Sequence, residues 1–359
     1  METKTDKMKL PLKGASLFAS AGIAEYYLKD SGINICVANE LLPERARLYK
    51  YQYPDTDMVC GNILDDMVFK QILDLCPAQL DFLLASPPCQ GMSIAGKNRT
   101  MEMMLTDERN FLIFRIIEFI KIKQPQYILI ENVPAFLKIC LPYKGKKYKI
   151  TDILSDTFKD YNVESEVYDS ADYGVPQRRQ RAIIRMYKNN KEWQHPDKCG
   201  KVTLEEAIGH LPSLEAGEHS DIKWHYARKH KINQIECMKH TPTGKSAFEN
   251  EIYYPKKVSG EKIKAYNTTY RRMRWDEPAS TITMRNDAIS SQTNVHPGRL
   301  KKDGTYSDAR VLTPLELMLL SSLPCDWNIP DDTPERLIRQ CLGECIPPLM
   351  IKKIVSHIK

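Results

Sequence analysis

Ser86-Pro87-Pro88-Cys89-Gln90-Gly91 sets a thiol just beyond a short apolar run, Asp81 to Ala85. Neither proline can donate a backbone hydrogen bond, and together they force an extended turn that projects Cys89 rigidly. A cysteine is most often a small core residue. Here the segment opens a polar stretch with Gly91, Gly96, Lys97 and Arg99, so a nucleophilic thiolate is the sharper reading. Glu131-Asn132-Val133-Pro134 follows a second apolar run, Tyr127 to Ile130. A glutamate at such a place is commonly just solvated, but beside a nucleophile it becomes a candidate acid. Tyr173 to Arg181 then leads into a third run, with Arg179 and Arg181 two apart and so on one face of an extended segment. Their guanidinium forks could hold a phosphate or a carbonyl oxygen and help keep Cys89 ionised. Taken alone, the segment also reads as a basic solvated turn.

A second group of residues could hold a cofactor. Phe18-Ala19-Ser20-Ala21-Gly22 follows a first apolar run with residues small enough to let backbone approach a ligand. Glu40 stands about 20 residues on, where a carboxylate typically accepts the hydroxyls of a ribose. Together they suggest an adenosine-bearing cofactor. The loop lacks the full G-x-G-x-x-G and the chain has no P-loop, which favours a nucleoside-sized group over a dinucleotide or ATP. The alternative is a tight strand-to-helix turn plus a surface glutamate.

All these residues lie just after apolar runs, as they must if a parallel sheet positions them, because open α/β sheets bind ligands beyond the carboxyl ends of their strands. The expected strands are 13–18, 34–38, 81–85, 127–130 and 182–187, alternating with amphipathic stretches from Leu12 to about Tyr187. A helix over 111–122 is expected to be buried except for its Arg115, Glu118 and Lys121 stripe, and Gln124-Pro125 should stop it. The residues from Gly91 to Arg109 read as a lid, since about 20 residues without secondary structure in a compact domain usually form one. Beyond Tyr187 strand signals weaken, and Trp193, Trp224 and six histidines from His195 to His240 gather. Thr313-Pro314-Leu315-Glu316 is a capping box with proline at the first helical position, and a last helix is expected over 349–358.

At 359 residues the chain has room for two domains or one large domain with an insertion. Its 42% hydrophobic and 27% charged residues exclude disordered and collagen-like classes. No apolar run approaches the roughly 18 residues of a membrane span, and the polar first nine residues lack a signal peptide's apolar segment. Ten cysteines without a C-x-x-C pair argue for a reducing cytosol and no structural zinc. The net charge of +6 permits a nucleic-acid partner without demanding one.

The ordered set Leu17-Phe18-Ala19-Ser20-Ala21-Gly22, Asn39-Glu40, Pro87-Pro88-Cys89-Gln90, Asp107-Glu108-Arg109, Glu131-Asn132-Val133, Gln177-Arg178-Arg179-Gln180-Arg181, Pro278 to Thr283 and Gly343 to Pro347 resembles the cytosine-C5 DNA methyltransferases. The resemblance implies a Rossmann-like α/β methyltransferase sheet with helices on both faces, plus a smaller target-recognition domain. It implies S-adenosyl-L-methionine as cofactor and double-stranded DNA as partner. Cys89 would be the nucleophile, Glu131 the contact to N3 of the target cytosine, and Arg179 and Arg181 would hold the base and Glu131. Phe18, Gly22, Glu40, Asn62, Ile63, Pro88 and Leu112 would surround the cofactor, and the C-terminal helix would complete that site.

The expected spans are 1–187 for catalysis and cofactor, 188–270 for target recognition, 271–310 as hinge and 311–359 as the returning segment. Gln90, Ser93, Lys97, Arg99, Trp224 and Arg228 are the candidate DNA contacts, although the residues around Trp224 equally suit a surface amphipathic helix. The Lys144 to Lys149 run reads as a solvated loop. The family's usual glycines are replaced by Ser20 and Ile23, its closing asparagine by Glu344, and a frequent aspartate by Asn62.

A thiolate adding to carbon 6 makes carbon 5 of cytosine nucleophilic, which predicts a Glu131 carboxyl with its pKa raised toward neutrality. The expected setting is a prokaryotic cytoplasm, a monomer, and a restriction-modification system with a cognate endonuclease. Three alternatives stand beside this reading: a tRNA cytosine-C5 enzyme, an amino-group methyltransferase, and a catalytically silent DNA-binding relative.

Overall fold

The computed structural model describes residues 11–88 and 112–358. They form two compact units, one of the described residues up to 168 with 180–196 and 351–358, the other of residues 169–179 and 197–350. The chain therefore passes between them four times.

The first unit is built on a seven-stranded sheet. Its strands are β1 (Leu12–Leu17), β2 (Ile33–Glu40), β3 (Asp57–Cys60), β4 (Phe82–Ala85), β5 (Tyr127–Asn132), β8 (Tyr161–Asp169) and β9 (Gln180–Lys188), in the order β3-β2-β1-β4-β5-β9-β8. The first five run parallel, and β9 lies antiparallel to β5 with Glu131 opposite Ile183. Chain order thus reverses between β1 and β4, the kind of crevice in which ligands bind. The five expected strands are all present. β4 and most of β5 are buried on both faces, as parallel strands covered by helices require.

Helices α1 (Pro43–Gln52), α2 (Asp66–Leu75), α3 (Leu112–Lys123) and α4 (Ile150–Thr157) belong to this unit. In α3, Leu112, Ile113, Ile116, Ile117, Phe119 and Ile120 are buried. They join Leu17, Val37, Leu83, Ile128, Ile130 and Met186 of the sheet in one core. Arg115 of the polar stripe bonds Asp66 at 2.7 Å and Glu118 at 2.8 Å while lying over the Phe69 ring. Gln124 ends the helix at φ 45°, ahead of Pro125. The basic run 144–149 is not a loop. It forms the turn and second arm of a hairpin, β6 (Cys140–Tyr143) against β7 (Lys146–Lys149), turned by Lys144 and Gly145 at positive φ.

The second unit has little regular structure: helices α5 (Leu204–Ile208), α6 (Ile232–Lys239), α7 (Pro314–Leu320) and α8 (Glu335–Glu344), joined by isolated bridges and turns. The last helix, α9 (Pro348–Val355), spans the boundary of the units. Thr313 and Glu316 cap α7 reciprocally, as their spacing predicts. One core of this unit gathers Met238, Ala247, Phe248, Tyr270, Ile289, Val295 and Val311. Beside the apolar residues sit buried charges. Arg310 pairs with Asp308 at 2.9 Å and Glu316 at 2.8 Å, while Arg272 donates to the carbonyls of Met238, His296 and Asp308. Among the described residues no helix is long and apolar enough to cross a membrane.

Candidate active site

At the carboxyl edge of β1 the chain turns sharply, with Phe18, Ser20 and Gly22 at φ 61°, 49° and 74°. Left-handed backbone is uncommon for phenylalanine and serine and persists only where neighbours enforce it. The neighbour here is the end of β2. The Ala19 N–H donates to the Asn39 carbonyl at 2.9 Å and the Ser20 N–H to the Glu40 carboxylate at 2.8 Å, while the Leu42 N–H donates to the other Glu40 oxygen. Glu40 thus clips the turn to the sheet, and each of its oxygens keeps a second lone pair for a ligand hydroxyl. A Cβ on Gly22 would stand 2.3 Å from the Tyr53 ring, whose hydroxyl donates to the Gly22 carbonyl. Only glycine fits there.

The other expected cofactor residues divide into two sets. Phe18, Ile63 and Leu112 pack on the apolar core of the first unit, and Pro88 is half-buried at the end of the strand β4 segment. The Asn62 side-chain oxygen accepts the Leu64 N–H at 3.0 Å in a local turn, so its carbonyl already has a backbone partner. Asn39 holds the Val59 and Gly61 carbonyls, joining the ends of β2 and β3.

One group in this region escaped the sequence reading. Glu25 is buried behind the turn and accepts a 2.5 Å hydrogen bond from Ser16 of β1. Burial raises its carboxyl to about 7, with the Glu40 charge adding to the effect against the Ser16 bond. Because the folded pKa exceeds the unfolded one, this carboxyl favours folding below the ordinary glutamate range. It loses that contribution as pH rises through about 7. Glu25→Gln is therefore expected to raise the melting temperature at pH 8 relative to the parent and to leave it nearly unchanged at pH 5. Equal shifts at both pH values would show that ionisation is not the cause.

At the ends of β4 and β5, Ser86 Oγ donates to the Phe18 carbonyl at 3.2 Å and Asn132 Nδ2 to the Pro87 carbonyl at 3.1 Å. These bonds fix the double proline between the β1 turn and β5. Glu131, 7% exposed, meets Arg181 Nε at 2.7 Å. Arg181 is the second residue of β9, and antiparallel pairing brings the start of that strand to the end of β5. The carboxylate is thereby held in one orientation. Cys89, Gln90, Ser93, Lys97, Arg99 and the expected lid lie outside the described residues.

Arg179 is held by main-chain carbonyls. It lies in the second unit, 2% exposed, and donates to the carbonyls of Ile282 at 2.7 Å and Gly343 at 3.0 Å. Around it, Arg178 N bonds Ala279 O, Ile282 N bonds Gln177 Oε1, and Thr281 Oγ1 bonds Arg178 O. A Cβ on Gly343 would fall 2.4 Å from the Thr283 carbonyl. Three motifs far apart in sequence, 177–179, 278–283 and 343–344, are therefore one bonded junction. Arg179 belongs to the second unit and Arg181 to the first.

No helix covers 222–230. His225 is fully buried between Thr313 and Pro212 O, and Arg228 pairs with Glu335 at 3.4 Å. Lys223 bonds Asp331 and lies over the Trp224 ring. The amphipathic-helix alternative is thus incorrect, and much of this cluster is engaged within its own unit.

Residues 12–359 match the C-5 cytosine-specific DNA methylase family. Type II methyltransferase M1.HgaI of Avibacterium volantium is 58% identical over 98% of this chain and 99% of its own length. Type II methyltransferase M1.HphI of Haemophilus parahaemolyticus is 28% identical over 95% and 85%, respectively. A crystal structure described as a DNA modification methyltransferase encoded within an E. coli prophage superposes with a TM-score of 0.68 at 18% identity. It covers 96% of this chain and 98% of that one, a likeness of fold. The match over nearly the whole sequence and the 58% identity at full length establish that the chain belongs to the C-5 cytosine-specific DNA methylase family.

Proposed function

We propose that the protein methylates carbon 5 of a flipped cytosine within a specific duplex sequence, with Cys89 adding covalently to carbon 6. The observation that carries this reading is the Glu131–Arg181 pair, one strand over from the Pro87-Pro88 turn that leads into Cys89. A cytosine placed there would meet the thiolate at carbon 6 and the Glu131 carboxyl at N3, with Arg181 donating toward O2. Addition of sulfur pushes charge onto N3 and O2, where those two residues stabilise it, and carbon 5 becomes nucleophilic. Loss of the carbon 5 proton after alkylation expels Cys89 and restores the ring.

The β1 turn suits S-adenosyl-L-methionine: its residues from Ala19 to Gly22 are small, Gly22 admits no side chain, and Glu40 retains lone pairs for ribose hydroxyls. Bound there, the cofactor supplies an electrophilic methyl group. Phe18, Ile63, Pro88 and Leu112 would line the apolar part of the site, with Asn62 at the adenine end. Arg179 would hold the motif junction and, with Arg181, help hold the base and Glu131. A duplex stacks the carbon 6 face, so the base must leave the helix at a cost of a few kcal/mol. Residues 188–270 would recognise the target, and Gln90, Ser93, Lys97 and Arg99 would meet DNA from the segment after Cys89. We place the enzyme in a restriction-modification system, protecting DNA from a cognate endonuclease.

The test incubates the protein with S-adenosylmethionine and duplex DNA carrying 5-fluorocytosine, which blocks the loss of the carbon 5 substituent. The expected result is a denaturation-resistant protein–DNA adduct whose peptide mass maps to Cys89. Methyl transfer only to tRNA or to an exocyclic amine, with no adduct, would discard the reading.

A further inference from the structure

Within the second unit, residues 255–263 form a narrow two-stranded ribbon that the motifs of the family do not include. Lys256 pairs with Lys262 in an antiparallel bridge, Ile263 N bonds Pro255 O at 3.0 Å, and Lys257 N bonds Glu261 O at 2.8 Å. The turn Lys257-Val258-Ser259-Gly260 closes on a 3.0 Å bond from Gly260 N to Lys257 O, with Gly260 at φ +84°. The base of the ribbon is anchored: Ile263 packs on the Phe248–Tyr270 core, and Lys262 Nζ bonds the Phe248 carbonyl at 2.7 Å. Its tip is not. Val258 is completely exposed, and every residue from Lys256 to Lys262 is exposed.

The charge and dimensions of the ribbon indicate what its exposed tip would meet. Lys256, Lys257, Lys262 and Lys264 stand against the single acid Glu261, so the ribbon carries an excess of positive charge. Tyr254 supports the cations, with Lys256 and Lys262 Nζ at 4.6 Å and 4.9 Å from its ring centre. The dimensions also agree. Three residues from base to tip reach about 10 Å, and two strands lie about 4.8 Å apart. The major groove of DNA is about 8.5 Å deep and 12 Å wide, and it admits a two-stranded ribbon.

We infer that this ribbon enters the major groove of the target duplex, where Val258 and Ser259 read base edges and Lys256 and Lys264 meet the flanking phosphates. Apolar contact suits a thymine methyl, and a serine hydroxyl can donate to or accept from a base edge. The assignment moves sequence reading away from the Trp224–Arg228 cluster, and it rests on duplex DNA being the substrate.

The test first maps the sites that the full-length protein methylates in plasmid DNA, then measures binding to a duplex with that site and to one without it, across salt concentrations. Lys256→Ala with Lys264→Ala is expected to weaken binding to both duplexes and to reduce the slope of log affinity against log salt by about one to two. Val258→Asp with Ser259→Ala is expected to lower the preference for the methylated site about tenfold or more, with S-adenosylmethionine affinity and melting temperature unchanged. A third variant, with the turn 257–260 replaced by Asn-Gly, should lose site preference in the same way. Retention of the parent's site preference and salt slope by all three folded variants would overturn the inference. A parent that methylates no duplex would instead overturn the DNA reading, and this inference with it.

Discussion

Replacing Arg179 by methionine is expected to lower single-turnover methyl transfer by about a hundredfold or more, and replacement by lysine should recover little of it. The guanidinium donates from separate nitrogens to Ile282 O and Gly343 O, carbonyls 103 and 164 residues away in sequence. Each such charge-assisted bond contributes about 1.5–3 kcal/mol, and its loss leaves a buried carbonyl unpaired. Lysine brings one compact ammonium and cannot span both acceptors from a fixed fork. The activity is affected because Arg181, two residues on, holds Glu131. Slack at position 179 passes along an extended backbone to the Glu131–Arg181 pair. Single-turnover rates of the two variants, with S-adenosylmethionine affinity as a control, check this. A lysine variant with the parent's rate would show that the fork is dispensable.

The second large effect concerns stability. Arg310→Met should cost about 3–5 kcal/mol, the usual consequence of removing one partner from a buried ion pair. That is a large part of the 5–15 kcal/mol that holds a typical domain together. Arg310 is fully buried and bonds Asp308, Glu316 and the Leu214 and Val311 carbonyls. Without it two acids remain in the interior, Asp308 and Glu316, each 2% exposed or less. Denaturant titration measures the loss, and a change below about 1 kcal/mol would sink the argument.

The same cluster sets an acid limit. His296 Nδ1 accepts the Gly298 N–H, so that ring nitrogen carries no proton, and burial beside Arg310 lowers the imidazole to about 4. The contribution of His296 should therefore fall as pH drops from about 6.5 to 4, where the unfolded histidine is protonated and the folded one is not. Glu316, held down to about 2 by Arg310 despite its burial, extends the loss from the ordinary glutamate range toward that value. Denaturant midpoints between pH 4 and 8 follow the first stage; buried His230, also lowered to about 4, adds an equal part and Glu25 opposes both, so a His296→Gln variant should lose about half of the histidine contribution above pH 4.

Much of the sheet was legible because its central strands are nearly uninterrupted apolar runs such as Tyr127–Ile130 and Ala182–Met186. β8 was not, since Tyr161–Asp169 is an edge strand with several exposed polar residues and no such run. β3 has only four residues. Residue types and order drew attention to Glu131, Arg181 and Glu40, and the structure adds that Glu40 first clips the β1 turn. The carbonyl contacts of Arg179 could not be read, because they are to main-chain groups of distant segments and carbonyls leave no mark on sequence. Glu25 was hidden for a related reason: a buried acid beside a serine looks like any polar residue near a turn until its surroundings are known.

The indole of Trp193 donates to the Ile354 carbonyl at 2.8 Å, and the same tryptophan forms a bridge with Ile358. The two ends of that hydrogen bond are 161 residues apart. During synthesis at roughly 5–20 residues per second, the nascent first unit would wait on the order of 8–30 s for this partner to leave the ribosome. For that interval Trp193, which packs edge-on to Tyr127 and beside Phe82, would lack its covering segment. The order of translation thus makes the closing helix a late seal on the earlier-made sheet. A ribosome stalled before residue 351 would hold a chain in which both units are complete in sequence except for that seal.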